Sequence, residues 1–168
     1  MSRAFVKEPD GDAADTDLPE RPLSEHPLYV TPRGLRKLQQ DLHELREQQR
    51  GLRARGEDMT VMAELKRVER DERYLEQCVQ NAIVVAPPAS HDEIRFGAAV
   101  DLLDEDGHRH HVVIVGEQEA CAPTGLISWV SPLARSLIGR RVGDVVTWER
   151  PAGNVELEIT GISYPDLS

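Results

Sequence analysis

Three groups of residues have types that could do chemistry. His108, His110 and His111 stand close enough in sequence to suggest a metal. In an extended chain, however, 108 and 110 share one face and 111 points to the other. No cysteine or carboxylate completes a tetrahedral set with them by spacing, so solvent-facing hairpin histidines are expected. Cys78 and Cys121 have no metal or redox spacing and imply no disulfide framework, which fits a reduced, cytoplasmic compartment. The third group is the adjacent pair Glu57 and Asp58, within Arg-Gly-Glu-Asp-Met-Thr at 55–60. Neighbouring helix residues point about 100° apart. The two carboxylates can therefore meet at one cation only if they sit in a loop, and Gly56 makes a loop feasible.

The elements that must position this pair are two apolar seams. The first runs Leu35, Leu38, Leu42, Leu45, Gln49, Leu52, spaced as the a and d positions of a coiled coil. The second runs Val61, Leu65, Val68, Glu72, Leu75, Val79, Ala82. The short connection between them forces antiparallel neighbours. Pairing 52 with 65, 42 with 75 and 35 with 82 places the fold point at Asp58 and Met59. Gln49 and Glu72, facing Val68 and Leu45, are polar seam residues of the kind that specify register. Thr31 is suited to cap the first helix, with Pro32 in its first position. The spacing thus predicts a two-helix finger over 29–85.

Composition limits the alternatives. The 168-residue chain has room for one or two small domains and carries a net charge of −10. That charge divides as −4 in 1–28, +1 in 29–85 and −7 in 86–168, and the acidic ends argue against a general nucleic-acid binder. No apolar run is long enough for a signal peptide or membrane span, so no membrane partner is expected. Residues 1–28, rich in Asp, Glu and Pro with apolar residues scattered singly, are expected to form a disordered acidic tail.

Ala86-Pro87-Pro88-Ala89-Ser90 breaks the second helix, and 86–93 reads as a linker. The period then becomes strand-like over 94–168. Phe96 to Leu103 and His108 to Val115 form a hairpin around Asp104-Glu105-Asp106-Gly107. Strands follow at 126–130, 145–149 and 155–162. Between the first two, Ser131 caps a short helix opened by Pro132 and ended by Gly139. The expected class is α+β, an antiparallel two-helix coiled coil followed by a small antiparallel-sheet domain with one short helix.

The segment Leu126-Ile-Ser-Trp-Val-Ser-Pro-Leu-Ala-Arg-Ser-Leu-Ile-Gly-Arg-Arg-Val-Gly-Asp144 resembles the Gre family of bacterial transcription elongation factors. Ile114 to Glu117, Arg95 to Ala98 and Val30-Thr-Pro-Arg-Gly-Leu-Arg-Lys-Leu38 extend the likeness, and Tyr74-Leu-x-x-Cys78 is closer to GreB than to GreA. The resemblance covers about residues 29–165. It implies an FKBP-like C-terminal domain that docks on the rim of the secondary channel of RNA polymerase, with the finger inserted into the channel. The factor would then be no enzyme itself and have no cofactor of its own. Its tip carboxylates, Glu57 and Asp58, would help hold a Mg²⁺ in the polymerase active site, where that cation activates water against backtracked RNA.

Two departures qualify this expectation. The second acid of the family, three residues after the aspartate, falls on Val61, which cannot ligate a metal. The finger is also about one heptad shorter on each helix, which at about 1.5 Å per residue leaves the tip roughly 10 Å short. The resemblance therefore implies a monomeric channel-binding modulator with weak or no cleavage stimulation, with GreB-like cleavage as the alternative. Val130, Ser131, Pro132 and Arg135 are the expected polymerase contacts, Val130 standing where the family often has Asp or Asn. Arg50, Arg53, Arg55, Lys66 and Arg67 read as a solvated coiled-coil face or as contacts to nascent RNA or channel phosphates. A prolyl isomerase, the enzymatic rival, would need a pocket lined with aromatics, and only 4% of the residues are aromatic.

Overall fold

The structure, a computed structural model, describes residues 18–167. Strand β1 (Tyr29–Val30) leads into helix α1 (Pro32–Ala54), and α2 (Met59–Asn81) returns to strand β2 (Ile83–Val84). Thr31 caps α1, its side chain accepting the Gly34 N–H, and Pro32 opens the helix as the sequence requires. The fold point lies slightly before the expected one. Arg55 is the C-cap of α1, Gly56 has φ 101°, and Asp58 is already the N-cap of α2.

The seams pack as two clusters. Leu52, Val61 and Val68, with Leu45 and Leu65 against them, fill the distal finger. Leu38, Tyr74 and Cys78 form the proximal cluster with Leu28 and Val30, flanked by Leu35, Leu75, Val79 and Ala82. Tyr74 and Cys78 are thus more deeply buried than Leu75, the seam residue beside them. The base of α2 is covered from a second side, which widens its apolar face beyond a coiled-coil seam. Glu72 reaches Arg46 across the finger at 3.1 Å.

Part of that cover comes from residues assigned to the tail. Residues 18–28 lie along the finger: Leu28 is buried, Leu23 packs beside it, Glu20 pairs with Arg73, and the Arg21 guanidinium sits 3.9 Å from the centroid of the Tyr74 ring. The expectation of a disordered tail is corrected for this stretch, because two apolar anchors and a cation–π contact offset the entropy of ordering it. For residues 1–17 the expectation lies outside the described residues. The pair β1–β2, parallel and two residues long on each side, ties the two ends of the finger together.

The C-terminal half is one sheet with a short helix. Its strands are β3 (Ala99–Asp104), β4 (Arg109–Val115), β5 (Leu126–Ser128), β6 (Val145–Trp148) and β7 (Val155–Ser163), with α3 (Pro132–Leu137) between β5 and β6. The order is β5-β4-β3-β7-β6, and β5 pairs parallel to β4 while the other pairs are antiparallel. The sheet is therefore mixed rather than wholly antiparallel, because the crossover from β4 to β5 runs through two 3₁₀ turns, Glu117–Glu119 and Ala122–Thr124. Leu133, Ala134 and Leu137 of α3 join Val100, Leu102, Ile114, Leu157 and Ile159 in the core. Among the described residues no helix is long and apolar enough to cross a membrane.

Candidate functional site

The finger tip is a four-residue connection, 55–58, between helices of 23 residues each, about 35 Å long at ~1.5 Å per residue. Glu57 and Asp58 are both exposed in it. The positive φ of Gly56, accessible at little cost only to glycine, takes the chain out of α1 and leaves the pair in a loop. Asp58 is partly committed: its Oδ1 accepts the Thr60 backbone N–H at 2.9 Å as the N-cap of α2. Its other oxygen and the Glu57 carboxylate face solvent, an arrangement that could offer two oxygens to a hard cation supplied from elsewhere.

A third carboxylate is excluded by packing as well as by residue type. Val61 is 8% exposed and sits in the cluster with Leu52 and Val68 that closes the distal end of the seam. Met59 is 87% exposed and Met62 half exposed, so the tip carries an apolar element beside its acids. Sequence reasoning missed it, although both methionines fall off the seam.

The arginines of the distal finger are interleaved with acids as expected. Arg50 pairs with Glu47 at 2.8 Å and Arg53 with Glu69 at 2.9 Å, while Arg55 and Arg67 have no ion pair among the described residues. Lys66 is exposed on the same half of the finger. Exposed pairs of this kind contribute little to stability.

On the globular half, Ser131 caps α3, its Oγ accepting the Ala134 N–H at 3.3 Å. Val130 and Ser131 are partly exposed and Pro132 and Arg135 exposed, while Leu133, Ala134 and Leu137 turn into the core. The four expected contact residues thus form one outward surface at the start of α3.

The histidines lie on the expected hairpin, and carboxylates of the same hairpin partner them. His108 Nδ1 and His110 Nε2 lie 3.3 and 3.0 Å from Oδ2 of Asp104, and His111 Nδ1 lies 2.8 Å from Asp101 on the other face. The hydrogen bond to His110, joined by the backbone N–H and the charge of His108, holds the Asp104 carboxyl at about 2, against the desolvation that opposes it. Asp104 Oδ1 also accepts the N–H groups of Asp106 and His108. The ligand atoms of Asp104, Asp106 and His108 lie within 4.8 Å of one another. Asp106 and His108 are exposed while Asp104 is half-buried, and the bonds of the group are those of a closed hairpin turn.

Comparison with known proteins decides the family. Residues 89–164 match the family model for the C-terminal region of transcription elongation factors GreA/GreB. Over 152 residues the chain is 34% identical to the transcription elongation factor GreB of Neisseria meningitidis serogroup B, spanning 81% of this chain and 93% of that one. The chain belongs to the GreA/GreB family of transcription elongation factors. It is also 38% identical over 159 residues to the GreA of Alkalilimnicola ehrlichii, spanning 84% of this chain and 99% of that one. Both subfamily names therefore occur among similar relatives. The solved structure of GreA factor homolog 1 (Gfh1) of Thermus thermophilus matches at 27% identity, covering 82% of this chain and 99% of that one, with a TM-score of 0.41.

Proposed function

We propose that the protein binds bacterial RNA polymerase at the rim of the secondary channel through Val130, Ser131, Pro132 and Arg135. The finger then enters the channel and changes transcription with weak or no stimulation of transcript cleavage. The observation that carries this reading is the burial of Val61 against Leu52: where a second tip acid would stand, the residue closes the hydrophobic seam. The remaining pair, Glu57 and Asp58, would approach a Mg²⁺ belonging to the polymerase, with Asp58 offering the oxygen its cap leaves over. No cofactor of its own enters this reading. Arg50, Arg53, Arg55, Lys66 and Arg67 would lie along the channel wall, where contacts to RNA phosphates weaken with salt.

A second reading is a cleavage factor acting through Glu57 and Asp58. The loop at Gly56 favours it, because it frees the two carboxylates from helical divergence.

Binding is tested with purified bacterial RNA polymerase. The chain should be retained by the polymerase, and Ser131→Arg together with Pro132→Glu should abolish retention. Failure of the unaltered chain to bind would refute the reading.

A further inference from the structure

Glu119 lies outside the tip and the start of α3, yet its side chain is spent on Thr31, the cap of α1. Oε2 accepts the Thr31 backbone N–H at 2.9 Å and the Gly116 N–H at 3.2 Å, and Oε1 accepts the Thr31 hydroxyl. Thr31 is 2% exposed. A helix start leaves its first N–H groups without intrahelical partners, and those of α1 are collected largely by the globular half. The Arg33 N–H goes to the Leu167 carbonyl at 2.8 Å, Pro32 has none to give, and the Gly34 N–H goes to the Thr31 hydroxyl that Glu119 orients. A carboxylate here also meets the positive end of a 23-residue helix.

The joint is sterically tight. A Cβ on Gly34 would lie 2.2 Å from Cδ of Glu119, and one on Gly116 would lie 2.2 Å from the Tyr29 carbonyl oxygen. The neighbouring Gln118 holds the other helix, its Nε2 donating to the Tyr74 hydroxyl at 2.8 Å. Consecutive residues of one 3₁₀ turn thus grip α1 and α2 separately, which opposes rotation as well as tilt.

We propose that Glu119 is a positioning residue that sets the direction of the finger relative to the globular domain. The lever is long: for a helix of about 35 Å, a tilt of roughly 10° at the base moves the tip by about 6 Å. The consequence for transcription rests on the proposed function, in which a tip must reach a place fixed by docking at α3. The joint itself does not depend on that reading.

The test measures tip position in the full chain. Spin labels at Met59→Cys and Glu105→Cys, with the exposed Cys121 changed to Ser and the buried Cys78 kept, report the distance from tip to globular domain. The unaltered joint should give one narrow distance peak. Glu119→Ala should lose it to a broad distribution while far-ultraviolet circular dichroism keeps the helix content, and Gly34→Ala should do the same from the opposite side of the joint. Should Glu119→Ala melt the finger, Glu119→Gln carries the test: it keeps the size but turns an N–H against the Thr31 donors, and should broaden the peak partially. A peak of unchanged width and position in the folded variants would overturn the proposal. Polymerase binding is read separately, so failure of the parent chain to bind counts against the proposed function while the distances still judge Glu119.

Discussion

Asp58 accepts the backbone N–H of Thr60 through one carboxylate oxygen, 2.9 Å away, so a residue proposed to meet a cation is also the cap that starts α2. The two roles separate by substitution. Asp58→Ala should lower the stability of the finger by about 1 kcal/mol, the usual cost of a lost cap. Asp58→Ser should restore most of it while removing the charge. Thermal unfolding followed at the helix signal checks this, and equal losses in both variants would contradict the cap.

Val61 makes a sharper prediction. Introducing the missing acid as Val61→Asp puts a carboxylate among Leu52 and Val68. It should destabilise the finger by on the order of 2 kcal/mol, because a buried charge without a partner loses its hydration. Denaturant unfolding measures it. An unchanged midpoint would mean that the distal seam is open to solvent.

The seam itself predicts unequal losses. Leu42 is buried and Leu75 only partly so. Leu42→Ala should cost about 2–4 kcal/mol, and Leu75→Ala less, on the order of 1–2 kcal/mol, in proportion to the smaller apolar area lost. Equal unfolding midpoints for the two variants would refute the observed packing.

Much of this arrangement is legible in the sequence. The three-four spacing of Leu35 to Leu52 and Val61 to Ala82 marks the two finger helices, and Thr31-Pro32 and Ser131-Pro132 mark the starts of α1 and α3. These signals are local, so one chain suffices to read them. What escaped depends on distant partners. Tyr74 and Cys78 are buried because residues 18–28 and the strand pair β1–β2 lie over them, and β5 is parallel only because of the strand it meets. Glu119 binds Thr31 across 88 positions, which no spacing rule reveals. Asp104 has the sequence signature of a turn residue, and its bonds to His108 and His110 depend on the closure of the hairpin.

That hairpin has a predictable pH response. Asp104 is held at about 2, below its ordinary 3.8, so the folded state favours the ionised form. The contribution is fully present above the ordinary value and is lost as pH falls through the folded one. Nuclear magnetic resonance of the Asp104 carboxyl should give a midpoint near 2, with the His110 ring signals moving alongside. In His110→Ala the midpoint should rise toward 3.8, and a midpoint that stays low would assign the shift to the backbone bonds instead.

In the proposed function the finger occupies the polymerase channel while lacking the acid set for efficient cleavage. Stalled, backtracked elongation complexes with Mg²⁺ present test it most directly, by following the length of the transcript after the protein is added beside a GreB control. Little or no shortening by this chain is expected, together with slower shortening by GreB when both are present, since they would compete for one channel. Rapid shortening by this chain alone, abolished by Asp58→Asn, would contradict it.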